Sequence, residues 1–260
     1  MATSAETTNW FAHFIELHPE LEGKTGDLKE IIQDLGVSEI RMEIVLKAPK
    51  FAKFVAEFNH EEISLTAITI RDVFPFGPNL GFAFLDCATK TRNGGKMLPG
   101  AVFLRGGAVA ILVIARCEGK HYALLTKQYR IPVGGFAIVE AVAGMMDEDK
   151  DPIGVAIKEL QEESGITIKR ADLIQLGDMS PSAGGCDEKI RCYATRTLEM
   201  SAENLAAIQE HVFGTGDETI RIIAEPFNTI EEATALIKHG DSKLNTCVLA
   251  MIGRGFFAQV

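Results

Sequence analysis

The sequence is poor in the residues that build metal or disulfide frameworks. Its five cysteines (Cys87, Cys117, Cys186, Cys192, Cys247) are odd in number, scattered, and form no C-x-x-C pair. That argues against a disulfide scaffold or zinc site and for reduced thiols inside a cell. Six histidines are equally dispersed and suggest no imidazole metal site. No stretch approaches the roughly 18 to 20 uncharged apolar residues of a membrane span, and the longest apolar run, Ala108 to Ala115, has strand length. The opening MATSAETTNWF lacks the basic-then-apolar order of a signal peptide. A basic patch is missing too: the formal net charge is −10, which disfavours a nucleic-acid partner. A phosphorylated small molecule stays compatible, because a bound cation inverts the local field. Repeats and low-complexity tracts are absent. The expectation is a cytoplasmic protein without a membrane partner, an organellar location being left open.

What is present suffices for a core. With 260 residues, 47 % hydrophobic and 24 % charged, the chain suits one large domain or a domain with a smaller partner. Apolar residues at three- and four-residue spacing predict short helices over Asn9–Leu17, Gly26–Leu35 and Pro49–Phe58, with Asp27 and Ser38 as N-caps. From Ile63 the pattern turns to β: ISLTAITIRDVF, LGFAFLDC and MLPGAVFLR, separated by Pro/Gly/Asn breakers. AVAILVIA and HYALLTKQYR read as a hairpin around four turn residues, CEGK, and FAIVEAVAG as one further β segment. Asp151 and Pro152 mark a helix start, and Gly165 its left-handed end. Strand follows over ITIKRADLIQLGDM and IRCYATRTL, with the loop SPSAGGCDEK between them. Ser201 to Phe213 reads as helix, TIRIIAEPF as strand, and two helices starting at Thr229 and Lys243 close the chain. Strand–helix–strand order with hairpins predicts an α/β/α sandwich around a mixed sheet.

One segment is at odds with local stability. KELQEE places Glu159, Glu162 and Glu163 on one face at the end of the helix from Pro152. A helix C-terminus already carries partial negative charge, and like charges three or four residues apart repel. Such a cluster invites a positive ligand, and a hard divalent cation with oxygen ligands is the economical one. The plain alternative is a solvated helix face.

Residues 144–166 resemble the Nudix box, G-x5-E-x7-R-E-U-x-E-E-x-G-U, with U a bulky apolar residue. Gly144, Glu159, Leu160, Glu162, Glu163, Gly165 and Ile166 match it; Lys150 and Lys158 stand where the family has an orienting glutamate–arginine pair. Asp147, Glu148, Asp149 or Asp151 are then candidate partners for Lys158. Pro181, sixteen residues after Gly165, and the Gly184–Gly185–x–x–Glu188 loop resemble the Nudix enzymes acting on ADP-ribose and other ADP-sugars. So do VFLRGGAV, TKQYR and VEAVAGMM, and the likeness is greatest to plant-type ADP-sugar diphosphatases, from about Pro49 onward.

The resemblance implies a Nudix-type α/β/α sandwich over 102–260, with an N-terminal helical segment and antiparallel dimerisation sheet over 1–101. It implies Mg²⁺, or Mn²⁺, held by Glu159, Glu163, Glu162 and the Ala143 carbonyl, with Glu162 also in a catalytic role and Glu188 as general base. Asp187 is the competing base. Arg130 and, second, Arg105 are candidate phosphate contacts, or ordinary surface arginines; Phe74 and Phe76 would stack on adenine, or be core. The role of Glu140 stays open, and Cys186 reads as either redox-sensitive or simply small. The implied activity is hydrolysis of an ADP-sugar (ADP-ribose, ADP-glucose) to AMP and sugar phosphate by a homodimer. UDP-glucose, NADH or another dinucleotide are rival substrates, and a non-catalytic Nudix-fold sensor of nucleotide sugars is the rival class.

Overall fold

A computed structural model describes residues 9–28, 32–146, 151–214 and 219–258. The chain divides into two compact units: one runs up to Gly106 and takes in Ser182–Glu188, the other holds Gly107–Pro181 and Lys189 onward. The expected boundary near residue 101 did not include the SPSAGGCDEK loop in the smaller unit. The loop belongs there because it pairs with the strand before Arg105: Phe103 N–H donates to the Gly185 carbonyl at 2.7 Å.

In the smaller unit, α1 (Phe11–Leu17), α2 (Glu39–Lys47) and α3 (Pro49–Ala56) accompany a four-stranded sheet in the order β1 (Ile32–Asp34), β2 (Ile63–Phe76), β3 (Asn79–Thr91), β4 (Ala101–Leu104). Phe14, Met42, Leu46, Phe51 and Val55 from the helices share one core with Leu65, Ile68, Ile70, Val73 and Leu85. Irregularities in β2 between Leu65 and Ala67 and between Ile70 and Asp72 reset the two-residue alternation, so that Leu65, Ile68, Ile70 and Val73 all join the core. Of the helix expected over Gly26–Leu35, residues 29–31 lie outside the described residues and the described ones are not helical. Ile32–Asp34 instead adds to the sheet edge, parallel to β2, with Ile32 opposite Ile68. A short isolated helix is costly to nucleate, and the sheet edge offers the backbone ready partners. Asp27, expected as the N-cap of that helix, has a carboxylate that accepts from Ser64 Oγ at 2.7 Å and pairs with Arg92 at 3.0 Å. The sheet is therefore antiparallel except at this edge.

The larger unit is built on β5 (Ala108–Cys117) and β6 (Lys120–Arg130). Their turn is tighter than expected, two residues, with Glu118 at φ +50 and Gly119 at φ +77. Both central residues are left-handed, as the favoured hairpin turn requires. The expected single segment FAIVEAVAG is two strands: β7 (Phe136–Glu140) pairs with β6, while β8 (Val142–Met145) crosses to β5. The break falls at Ala141, whose N–H donates to Asp241 at 3.3 Å.

The remaining elements are α4 (Pro152–Ser164), β9 (Leu173–Met179), β10 (Ile190–Thr195), β11 (Leu198–Glu199), α5 (Ala202–Glu210), β12 (Val212–Phe213), β13 (Ile220–Pro226), α6 (Ile230–Ala235) and α7 (Ser242–Gly253). The helix expected to reach Phe213 thus stops at Glu210. β10 pairs parallel with β5 and antiparallel with β9, so the sheet is mixed.

β5 shows why the unit is a sandwich. Ala110, Leu112 and Ile114 join a core with Leu244, Cys247 and Val248 of α7, whereas Val109, Ile111 and Val113 join another with Val155, Ala156 and Leu160 of α4. A strand covered on both faces needs an unbroken apolar run, and Ala108–Ala115 supplies it. Among the described residues no helix is long and apolar enough to cross a membrane.

Candidate active site

Helix α4 starts as its sequence demands. Asp151 is the N-cap residue, Pro152 fills the first turn, and Gly165 ends it at φ +69 with its N–H on the Gln161 carbonyl at 2.9 Å. The buried stripe of Val155, Ala156 and Leu160 seats the helix on the sheet, and that fixes where Glu159 and Glu163, one turn apart, come to lie. Glu159 reaches across β8. A Cβ on Gly144 would stand 1.9 Å from the Glu159 carboxyl carbon, so only glycine admits this carboxylate here.

Glu163 is 7 % exposed, and its Oε2 has no hydrogen-bond partner among the described residues. Burial, reinforced by the negative charge of Glu159, pushes its carboxyl up to about 8, against the pull of the Ala143 backbone N–H. A buried carboxylate oxygen left unpaired beside a second carboxylate is expensive. Oxygen-only donors of this kind fit a hard divalent cation: Mg²⁺ is usually held by one or two carboxylates and keeps sites for water and phosphate. The residues present therefore fit Mg²⁺ or Mn²⁺. Among the described residues no group of three or more His, Cys, Asp and Glu converges into a metal cage. Glu162 lies on the exposed flank, 3.8 Å from Lys158.

Arg130, at the end of β6, donates through Nε to Glu140 Oε1 at 2.7 Å. The other Glu140 oxygen accepts from Lys243 Nζ at 2.9 Å, and Lys243 also reaches Asp241 Oδ1 at 2.9 Å. Asp241 is the N-cap of α7, accepting from Lys243 and Leu244 backbone N–H. Burial by itself depresses the Lys243 ammonium, but the Glu140 and Asp241 carboxylates together hold it above its ordinary value. Glu140, whose role the sequence left open, is thus the hub of an ion network. Lys243 and Asp241 were missed as site residues; the one signal available was an Asp–Ser–Lys start to an apolar helix.

The smaller unit holds the loop carboxylates. Glu188 Oε1 accepts from Arg105 Nε at 2.8 Å, and the Arg105 guanidinium lies over the Phe82 ring, 5.5 Å from its centroid. Asp187, the competing candidate base, is engaged by the backbone: its Oδ1 accepts from Arg105 N–H at 2.7 Å and Gly106 N–H at 3.1 Å. Lys50 steadies the same stretch by donating to the Arg105 and Gly81 carbonyls, each at 3.2 Å. Arg105, expected as a phosphate contact, is a partner of Glu188. Phe74 and Phe76 are exposed, not core. They stand edge-on to Phe84 and Phe82 respectively, with Phe103 beside both, an aromatic cluster of which the sequence reading singled out two members. Cys186 is partly buried, and burial raises its thiol above its ordinary value.

Asp151 does not partner Lys158. Both its oxygens are taken by Arg170, one of them at 3.0 Å from Nη2. The other candidates for Lys158, Asp147 to Asp149, and Lys150 itself lie outside the described residues.

Three comparisons with known proteins bear on this arrangement. The NUDIX domain family model matches residues 104–213. The chain is 34 % identical over 185 residues to "Nudix hydrolase 14, chloroplastic" of Arabidopsis thaliana, covering 66 % of this chain and 59 % of that protein. It is 32 % identical over 132 residues to the "ADP-ribose pyrophosphatase" of Bacillus subtilis (strain 168), covering 51 % and 63 %. The chain thus spans about three fifths of the length of these curated relatives. A solved structure described as an ADP compounds hydrolase shares the fold, with a TM-score of 0.52 at 12 % identity, covering 75 % of this chain and 96 % of that one. The NUDIX match thus falls on the segment that carries the glycine-backed acidic helix end, Gly144 to Ile166.

Proposed function

We propose that the protein is a Mg²⁺-dependent hydrolase that cleaves the pyrophosphate of an ADP-sugar, ADP-ribose or ADP-glucose, into AMP and a sugar phosphate. The observation that carries this reading is the buried, unpartnered Glu163 oxygen beside Glu159 in a Nudix domain. The Bacillus subtilis relative, named for ADP-ribose, supports the substrate class.

Glu159 and Glu163, with the Ala143 carbonyl and Glu162 at the flank, would hold the cation. When bound, it supplies charge neutralisation on the phosphoryl oxygens. Arg130 contacts a phosphate through its guanidinium, a geometry suited to paired oxygens. Glu188 takes the proton of the attacking water, after which the new P–O bond displaces the other phosphate. Arg105 orients Glu188, and the Phe74–Phe76 cluster offers a stacking face for adenine. The chain acts as a homodimer in the cytoplasm, with residues 63–102 in the subunit interface.

The test is incubation of the purified protein with ADP-ribose, ADP-glucose, UDP-glucose and NADH, in Mg²⁺, Mn²⁺ or EDTA, with AMP, UMP and sugar phosphate measured. Cation-dependent AMP release from ADP-sugars is expected. Turnover of UDP-glucose or NADH alone reassigns the substrate; saturable binding with no turnover makes the protein a sensor. Glu188→Gln should lower kcat by about 10²-fold or more, far beyond its effect on KM. An unchanged kcat removes Glu188 as the base. Light scattering of the intact chain tests the dimer, and a monomer at assay concentration would sink that part. Recovery of the protein from a plastid fraction would overturn the cytoplasmic location.

A further inference from the structure

Arg130, Glu140, Lys243 and Asp241 form a chain of alternating charge in the larger unit, and the members differ in exposure. The side chains of Glu140, Asp241 and Lys243 are 4 %, 7 % and 18 % exposed, while Arg130 is 39 % exposed. The accessible end of the network is therefore a guanidinium. A buried ion network is weak evidence for stability, since apolar side chains of similar volume often serve as well. The geometry shows what else it does. Glu140 has two carboxylate oxygens and gives one to each cation: Oε1 to Arg130 Nε, Oε2 to Lys243 Nζ.

Arginine and a carboxylate left alone tend to close a two-bond fork, which takes up Nε together with a terminal nitrogen. Lys243 blocks that fork by occupying Oε2. Arg130 is then held by Nε alone, and its terminal amino groups remain for another anion. Lys243 is itself fixed on its far side. Asp241 Oδ1 accepts from its Nζ, while Asp241 Oδ2 accepts from Leu244 N–H at 2.9 Å and Ala141 N–H at 3.3 Å. The first turn of α7 is thereby stitched to the break between β7 and β8, which places the ammonium at Glu140.

We propose that Lys243 is a positioning residue: it holds Glu140 to a single contact with Arg130 and so keeps the guanidinium open for a substrate phosphate. The inference rests on Arg130 as the phosphate contact.

The test uses the full-length chain with Lys243→Met, Lys243→Arg, Arg130→Met and the double variant, each checked by thermal melting. Binding of α,β-methylene ADP-ribose is measured by calorimetry, and KM and kcat with ADP-ribose. Lys243→Met should weaken analogue binding and raise KM by about tenfold, the scale of one hydrogen bond to a charged group, with a smaller change in kcat. Lys243→Arg should restore most of the affinity. The double variant should bind no more weakly than Arg130→Met alone, because one residue acts through the other. Losses that multiply in the double variant, or Lys243→Met binding like wild type while Arg130→Met is impaired, would overturn the proposal alone. Wild-type binding by Arg130→Met would overturn the phosphate role of Arg130 and this inference with it. Should Lys243→Met not fold, Lys243→Gln, which keeps a neutral donor, carries the same measurements with the same outcomes.

Discussion

Glu140 and Glu163 are buried to nearly the same degree in the same unit, at 3 % and 7 % exposure, yet their surroundings are opposite. Glu140 has a cation on each oxygen. Glu163 has an oxygen with no partner among the described residues, and Glu159 as its neighbour. Burial is common to both, so the partners make the difference. At the end of β7 the fold supplies the compensating charge from its own side chains. At the end of α4 burial and the Glu159 charge outweigh the Ala143 N–H and Arg130, and the carboxyl stays raised. One carboxylate is compensated within the fold; the other is buried at a cost.

The comparison breaks most directly at Glu163. Glu163→Gln should reduce turnover on the order of 10³-fold, the scale of losing a fixed electrostatic contact to developing charge, and leave the cation-free protein no less stable at pH 8. Near-normal kinetics would remove α4 from the reaction. The mirror experiment is Glu140→Ala, which strands the Lys243 ammonium and should lower stability by about 3 kcal/mol in denaturant melts. A loss below about 1 kcal/mol would put Glu140 on the same footing as a surface carboxylate.

A third measurement follows the sign of the Glu163 shift. Its folded value, about 8, lies above its ordinary 4.5. Between these values the native state keeps a proton that the unfolded state has lost, so the stability of the cation-free protein should fall as pH rises from about 4.5 to about 8. Mg²⁺ competes with that proton and should raise Tm more at pH 8 than at pH 5.5. An equal rise at both values would contradict the pairing of cation and proton at Glu163. The smallest effect is expected from Lys158→Arg. Lys158 is exposed and 3.8 Å from Glu162, so stability should change by less than about 0.5 kcal/mol. A larger change would mean that the box arginine position supports the helix after all.

Much of this was legible before any coordinates. The α4 boundaries followed from Asp151, Pro152 and Gly165, because caps act within a few residues. The double-sided burial of β5 could be read from the unbroken Ala108–Ala115 run. The Gly26–Leu35 segment misled because apolar spacing at Leu28, Ile32 and Leu35 fits a helix, while an available sheet edge decides otherwise. Leu35 ends up exposed. FAIVEAVAG gave no hint of its break, since the cause, Asp241, lies a hundred residues on. Arg105 was singled out as a second-choice phosphate contact and not as the partner of Glu188, from which it is eighty-three residues away in sequence.

The sequence by itself determined the acidic helix end, its glycine stops and the loop that carries Glu188, since motif spacing and local capping are properties of neighbouring residues. Tertiary structure alone decided which carboxylates are compensated. Coulombic partners and desolvation depend on distance and burial, and no spacing rule brings Lys243 to Glu140 or buries Glu163 beside Glu159. The glutamates were written in the chain; their partners were written in the fold.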